Sequence, residues 1–270
     1  MATELNLLWM ALALYALAGS TAIGATVLAR RFERIFLALI VAGLAMHALS
    51  LGLRWARVSY GPFITMFEIL SSNVWSLLLV FSIAYWRVPA VRPAAAVVMP
   101  VVFILMAWLL AVSPLHGHYP ATYQTPWLYV HVLFGKVFLG AALIALGIAG
   151  VILLREAGAR AASLLRLPDN AKLETLAFRF MVLGFLFETL MLIAGAIWAQ
   201  DAWGRYWAWD PLETWAFATW LTLAFYLHLR ITTPLAPRYG AALIVVVFVL
   251  AFLTFFGVPF VSTAPHKGAL

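Results

Sequence analysis

Trp198-Ala-Gln-Asp-Ala-Trp203-Gly-Arg-Tyr-Trp207-Ala-Trp209-Asp-Pro-Leu-Glu-Thr-Trp215 lies between two long apolar runs and holds five of the chain's twelve tryptophans together with Tyr206. Tryptophan and tyrosine gather at membrane interfaces, which accounts for one or two rings at each crossing but not for five in one connection. With Gly204 among them, the rings read as a platform for a large planar apolar ligand, since aromatic faces cover such surfaces at low entropic cost. The stretch closes on a helix start: Asp210 as N-cap, Pro211 at the first helical position and Glu213 at the third. This capping box ties the platform to the next helix. The N–H groups and positive dipole of such a helix end suit a ligand carboxylate.

Outside this stretch the chain is dominated by apolar runs. With 66% hydrophobic and 10% charged residues among 270, it lies far from soluble domains, in which about a quarter of residues are charged. Eight runs, near 7–29, 34–54, 64–86, 94–112, 127–154, 175–198, 211–231 and 239–260, are each long enough to cross a hydrocarbon core of about 30 Å. The expected fold is therefore an all-α polytopic membrane protein. It forms a single transmembrane domain over 1–270, with the Trp-rich loop external between the sixth and seventh spans.

The basic residues orient it. Arg30, Arg31, Arg34, Arg87, Arg92, Arg155, Arg160, Arg166, Lys172, Arg179, Arg230 and Arg238 share one side, against Arg54, Arg57, Lys136, Arg205 and Lys267 on or near the other. The positive-inside rule assigns the larger set to the cytoplasm and both termini to the outside of the plasma membrane, in contact with lipid. The net charge of +7 is mostly this topological signal spread over short loops, which excludes a nucleic-acid-binding face. The first run lacks a basic leader and a small-residue cleavage site, and reads as a retained helix. The absence of cysteine excludes intrinsic thiol chemistry. No Gly-x-x-x-x-Gly-Lys-Ser/Thr loop supports an ATP-driven pump.

Depth sorts the histidines. His131 lies about one turn inside the fifth span and His266 just beyond the eighth, both level with the Trp-rich loop, so the two can share one metal. His228 is roughly 26 Å down the seventh span from Pro211, at 1.5 Å per residue, and cannot join them. His47 lies too high to pair easily with His228 and suits a helix–helix hydrogen bond. His116 and His118 read as incidental loop residues. A polar stripe of Thr65, Glu68, Ser71, Ser72 and Asn73 opens the third span and should face protein or a wet cavity. Glu188, in an apolar run, should be protonated or hydrogen-bonded across helices. A metal-bearing planar ligand lying on Trp203, Trp207 and Trp209 and gripped by His131 and His266 fits haem, for which histidine is a standard axial ligand. His228 then suggests a second site completed by a partner subunit.

The run from Trp203 to Trp215 resembles the tryptophan-rich signature of haem-handling proteins. Its Trp-Asp-Pro-x-Glu-Thr-Trp ending, with Tyr226-Leu-His-Leu-Arg230 after it, is similar to the CcsA/ResC branch of cytochrome c biogenesis proteins. The likeness extends from His47-Ala-Leu-Ser-Leu-Gly-Leu-Arg-Trp55 to the tail. It implies that His131 and His266 ligate haem b carried as cargo, that Trp203, Trp207, Trp209 and Asp210 belong to the binding site, and that His228 meets a counterpart from a CcsB/ResB-like membrane partner. It further implies haem presentation to apocytochrome c for thioether attachment at a Cys-x-x-Cys-His motif. A haem transporter without ligation and a b-type electron-transfer subunit are the competing readings. The segments Ser59-Tyr60-Gly61-Pro62 and Ala264-Pro265-His266-Lys267-Gly268 depart from the patterns commoner in that branch.

Overall fold

A computed structural model describes residues 1–28, 32–115, 117, 119, 121–159 and 167–261. Among them there are no strands, and the chain is a bundle of eight long helices: α1 (Ala2–Leu28), α2 (Glu33–Val58), α3 (Met66–Arg87), α4 (Ala95–Ala111), α5 (Pro126–Glu156), α6 (Asn170–Trp203), α7 (Pro211–Thr232) and α8 (Pro237–Phe252). A turn of 3₁₀ helix, Pro89–Ala94, leads into α4.

Seven of the eight are apolar and long enough to span a membrane, the exception being α7. The eight spans expected from the sequence are thus seven plus one more polar helix. The reason lies in α7's composition: Glu213, four threonines, His228 and Arg230 interrupt its apolar residues. Two of those polar groups reach across helices, Thr219 pairing with Thr254 at 3.2 Å and Arg230 with Glu174 of α6 at 2.7 Å, and Trp220 Nε1 donates to the Thr189 hydroxyl of α6 at 2.9 Å. Hydroxyls placed this way let a polar helix sit among apolar neighbours.

α5 is the axis of the bundle, packed most extensively on α6 and also on α8, α3 and α4. Glycines permit the close approach. A Cβ at Gly140 would stand 2.8 Å from Val80 of α3, and one at Gly147 2.8 Å from Val98 of α4. Small residues at such crossings replace the hydrophobic driving force that lipid cannot supply.

α8 widens into a π turn at Leu253–Gly257 before a last helical turn, Val258–Val261. Pro259 explains the widening, because its ring would clash with the carbonyl four residues back and it has no N–H to donate.

At the end of the bundle where α2 runs into α3, Arg54 gathers three elements. Its guanidinium pairs with Glu68 of α3 at 2.8 Å and with Glu4 of α1 at 3.0 Å, and donates to the carbonyls of Pro114 and Leu115 beyond α4. Arg57 closes the other oxygen of Glu4 at 2.9 Å. Arg54 is 2% exposed and Glu68 fully buried. Removing a partner from a buried pair costs about 3–5 kcal/mol because it strands the opposite charges. Arg54→Met should therefore lower stability in detergent, read by thermal unfolding, by about that much. Arg92→Met, which breaks the exposed pair with Glu33, should cost under about 1 kcal/mol.

Candidate functional site

Beneath the Trp-rich connection lies a mostly apolar cavity of about 240 Å³, walled by α3, α5, α6, α7 and the π turn after α8. His131, Lys136, Asn73, Trp198, Trp207 and Glu213 are among its lining residues, with Phe255 and Pro259 closing the side toward the end of the described chain.

His131 enters it from α5 on well-fixed backbone. Thr125 caps that helix, accepting from the Trp127 amide at 3.3 Å, while its hydroxyl donates to Asp201 near the end of α6 at 2.9 Å. Pro126 supplies the first helical residue. The His131 ring then pairs its Nδ1 with the Met191 carbonyl of α6 at 2.9 Å. A carbonyl only accepts, so Nδ1 donates, and the lone pair of the neutral ring lies on Nε2. Gly195, one turn along α6, makes room: a Cβ there would meet Nδ1 at 2.7 Å. Holding one ring nitrogen by a backbone carbonyl is how proteins fix an imidazole that ligates a metal through the other.

The indoles meet edge-on and form no flat shelf. Trp198 tilts against His131 at 5.8 Å between ring centroids and takes Trp203 on its edge at 5.2 Å, while Trp207 meets Trp209 at 5.6 Å with planes 84° apart. Of the three rings expected in the platform only Trp207 lines the cavity. Trp203 backs Trp198 instead. Trp209 is 65% exposed, with a left-handed backbone at φ 58°, a strained conformation for a bulky residue. Helix α6 also continues through Trp203, so the connection proper is only 204–210, shorter than the 198–215 window expected for the loop.

The capping box forms as the sequence reads. Asp210 accepts from the Glu213 amide at 2.9 Å, and Glu213 Oε2 accepts from the amides of Ala208 at 2.7 Å and Asp210 at 3.4 Å. Asp210 therefore fixes the loop from outside the cavity wall, and its own carboxylate occupies the helix end that was expected to receive a ligand carboxylate.

On the far side, Tyr60 stacks on Tyr119 at 4.9 Å, the Tyr119 hydroxyl donates to the Tyr123 carbonyl at 2.9 Å, and Tyr123 meets Trp198 edge-on at 5.1 Å. Burial pushes the Tyr119 phenol up to about 12, with Tyr129 adding to the shift, and raises Tyr60 and Tyr123 as well. These phenols stay protonated donors at any physiological pH.

The other histidines lie elsewhere. His47 is fully buried between Ser71 at 2.9 Å and Tyr15 at 3.4 Å, a helix–helix contact. His228 is exposed near the opposite end of α7. His266, His116 and His118 are outside the described residues, as are the basic residues Arg30, Arg31, Arg160, Arg166 and Lys267. Glu188 is fully buried, and neither of its oxygens finds a hydrogen-bond partner among the described residues. Met191, Gly195 and Lys136 are not among the site residues expected from sequence, while Trp198 belongs to the Trp-rich stretch expected to form the platform and Asn73 to the polar stripe expected to face protein or a wet cavity. A lysine in an apolar run, five positions past a histidine, was the available signal for Lys136. Nothing in the sequence marks the Met191 carbonyl.

A family model described as cytochrome c assembly protein matches residues 63–266, three quarters of the chain. The chain belongs to the cytochrome c assembly protein family. It is 42% identical over 132 residues to the cytochrome c biogenesis protein CcsA of Gloeobacter violaceus, a match covering 47% of this chain and 39% of that one. Against CcsA of Prochlorococcus marinus strain MIT 9515 it is 29% identical over 248 residues, covering 82% and 79%. Against CcsA of Cuscuta reflexa it is 41% identical over 96 residues, covering 36% and 31%. The first and third of these matches span well under half of the relative's own length. The region shared with the cytochrome c assembly family takes in α3 to α8, and with them the whole cavity wall.

Asp210→Ala should open the short connection while Asp210→Asn, still a good cap, should not. Hydrogen–deuterium exchange at the Ala208 and Glu213 amides reads this directly. A loss of about 1 kcal/mol speeds exchange roughly fivefold, and unchanged protection would contradict the role given to Asp210.

Proposed function

We propose that this chain binds haem b as cargo and holds it for attachment to apocytochrome c, as the haem-presenting subunit of a cytochrome c synthase. The observation that carries the reading is His131, an imidazole in the wall of an apolar cavity whose Nδ1 is committed to the Met191 carbonyl. That arrangement suits Nε2 for axial ligation of iron.

The surrounding residues fit a porphyrin. At about 240 Å³ the cavity falls just under the roughly 300–1,000 Å³ of sites that enclose a small organic ligand, so it encloses one edge of a macrocycle and leaves the other at the mouth. Trp198 and Trp207 supply flat apolar walls, and Trp207 Nε1 is a buried donor with no partner among the described residues. Pro259 in the wall precedes His266 by seven positions, which is compatible with His266 as the second axial ligand implied by the family signature. Trp203 and Trp209 act by bracing Trp198 and Trp207. His228, at the other end of α7, takes part in a separate haem contact completed by a CcsB/ResB-like membrane partner. The proposed orientation has the Trp-rich end outside the plasma membrane, where apocytochrome c presents its cysteines.

The chemistry is addition of each cysteine S–H across a haem vinyl group. A C–S bond forms, the thiol hydrogen goes to the terminal vinyl carbon, and no external oxidant or reductant is consumed. This chain's part is to ligate, orient and exclude water. The absence of cysteine leaves no thiol of its own to compete for the vinyl groups.

Haem retained by the purified chain, read from its Soret absorbance, tests the proposal. His131→Ala should lose at least tenfold in haem occupancy, and Gly195→Val should do the same by displacing the ring. Combining the two should add little, since both act on one ligand. Full occupancy and normal cytochrome c maturation in both variants would overturn it.

A further inference from the structure

The cavity has an inner end that the ligation of iron does not use. Lys136 lies five residues beyond His131 on α5, about 7.5 Å farther along the axis and about 15 Å from the helix start at Pro126. That depth is too great for its four-carbon stem to carry the ammonium back to the bundle end. The ammonium donates instead to Ser72 Oγ of α3 at 2.9 Å, and no carboxylate lies within ion-pairing distance among the described residues. One hydroxyl leaves two of its three N–H donors uncommitted. A cation kept inside an apolar bundle without a counter-ion is costly unless something else neutralises it.

Asn73, next to Ser72 and also in the cavity wall, adds a second polar requirement. Its Nδ2 donates to the Ile69 carbonyl at 2.8 Å, which fixes the amide, and its Oδ1 is buried with no partner among the described residues. The inner end thus offers cationic donors beside an unfilled acceptor. The mouth is different: Glu213, an acid in the first turn of α7, also lines the cavity and is tied to the Trp-rich connection through the Ala208 amide, next in sequence to Trp207. A carboxylate approaching the Trp207 donor meets that acid, so the cavity's polarity favours an anion at Lys136.

We infer that Lys136, assisted by Ser72 and Asn73, is a carboxylate-binding subsite that receives a propionate of the porphyrin and so sets which edge of the macrocycle enters the cavity. This rests on the haem reading above and adds an orientation to it. Protoporphyrin carries its propionates and vinyls on opposite edges. With the propionate edge inward, the vinyl edge lies at the mouth, where an incoming thiol can reach it. Ser72 holds the ammonium in place, and Asn73 Oδ1 accepts from a water on the carboxylate or from its acid form. Lys136 is a positioning residue that touches the cargo and does not take part in the addition.

The test compares haemin with haemin dimethyl ester, which has the same ring and iron but no propionate charge, titrated into the full-length chain freed of haem and followed by the Soret band. Wild type should bind haemin at least tenfold more tightly than the ester. Lys136→Met should weaken haemin by the same factor and leave the ester unchanged, and Lys136→Arg should keep the preference. The ester arm also reports whether the variant is folded, and the wild-type comparison needs no variant. Equal wild-type affinity for the two porphyrins, or a preference that survives in Lys136→Met, overturns the subsite while a His131-dependent Soret band leaves the haem reading standing. No His131-dependent band with either porphyrin overturns both.

Discussion

One hydrogen bond between neighbouring helices organises the site: the Met191 carbonyl of α6 receiving Nδ1–H from His131 of α5. It spans the most extensive helix contact in the bundle, and it exists because Gly195 leaves no Cβ in the ring's place. A carbonyl near the end of a helix is easily spared from the backbone ladder, but Met191 lies well inside α6, where its oxygen has a second lone pair to give. The imidazole is thereby held by main chain and not by a mobile side chain. Its direction is set by the packing of the two helices.

Around that contact the fold separates two jobs. Arg54, Glu4, Glu68 and Arg57 form a closed set of charges that pins α1, α2 and α3 at one end. The same polar stripe on α3 that supplies Glu68 to this set turns, one helical turn later, toward Ser71 with His47 and Ser72 with Lys136. A single amphipathic face thus serves stability near the helix start and the cavity farther in. The capping box at Asp210 and Glu213 performs the matching task for the short Trp-rich connection.

Much of this was legible in the sequence where the signal is local. Apolar run lengths give the helices, Asp-Pro-Leu-Glu gives the cap, and the stripe from Thr65 to Asn73 gives a protein-facing surface; each depends on neighbours within a few residues. The position of His131 in the wall follows from its depth in α5. What was not legible depends on approach between distant segments. Edge-on packing of the indoles, the exchange of Trp203 and Trp209 for Trp198 in the wall, and the Met191 carbonyl are set by how α5 and α6 lie together. The helix end at Asp210 was read as an anion site because sequence shows its donors and not that the cap's own carboxylate fills them. The reduced apolarity of α7 was visible in its threonines, yet length alone made it one more span.

The account turns on iron reaching His131 inside the bundle. A cryo-electron microscopy map of the haem-loaded chain measures this most directly. The prediction is a macrocycle entering between α3, α5, α6 and α7, with iron about 2 Å from His131 Nε2 and the Nδ1 bond to Met191 preserved. Iron bound only near the His228 end, with this cavity empty in a fully loaded complex, would contradict it.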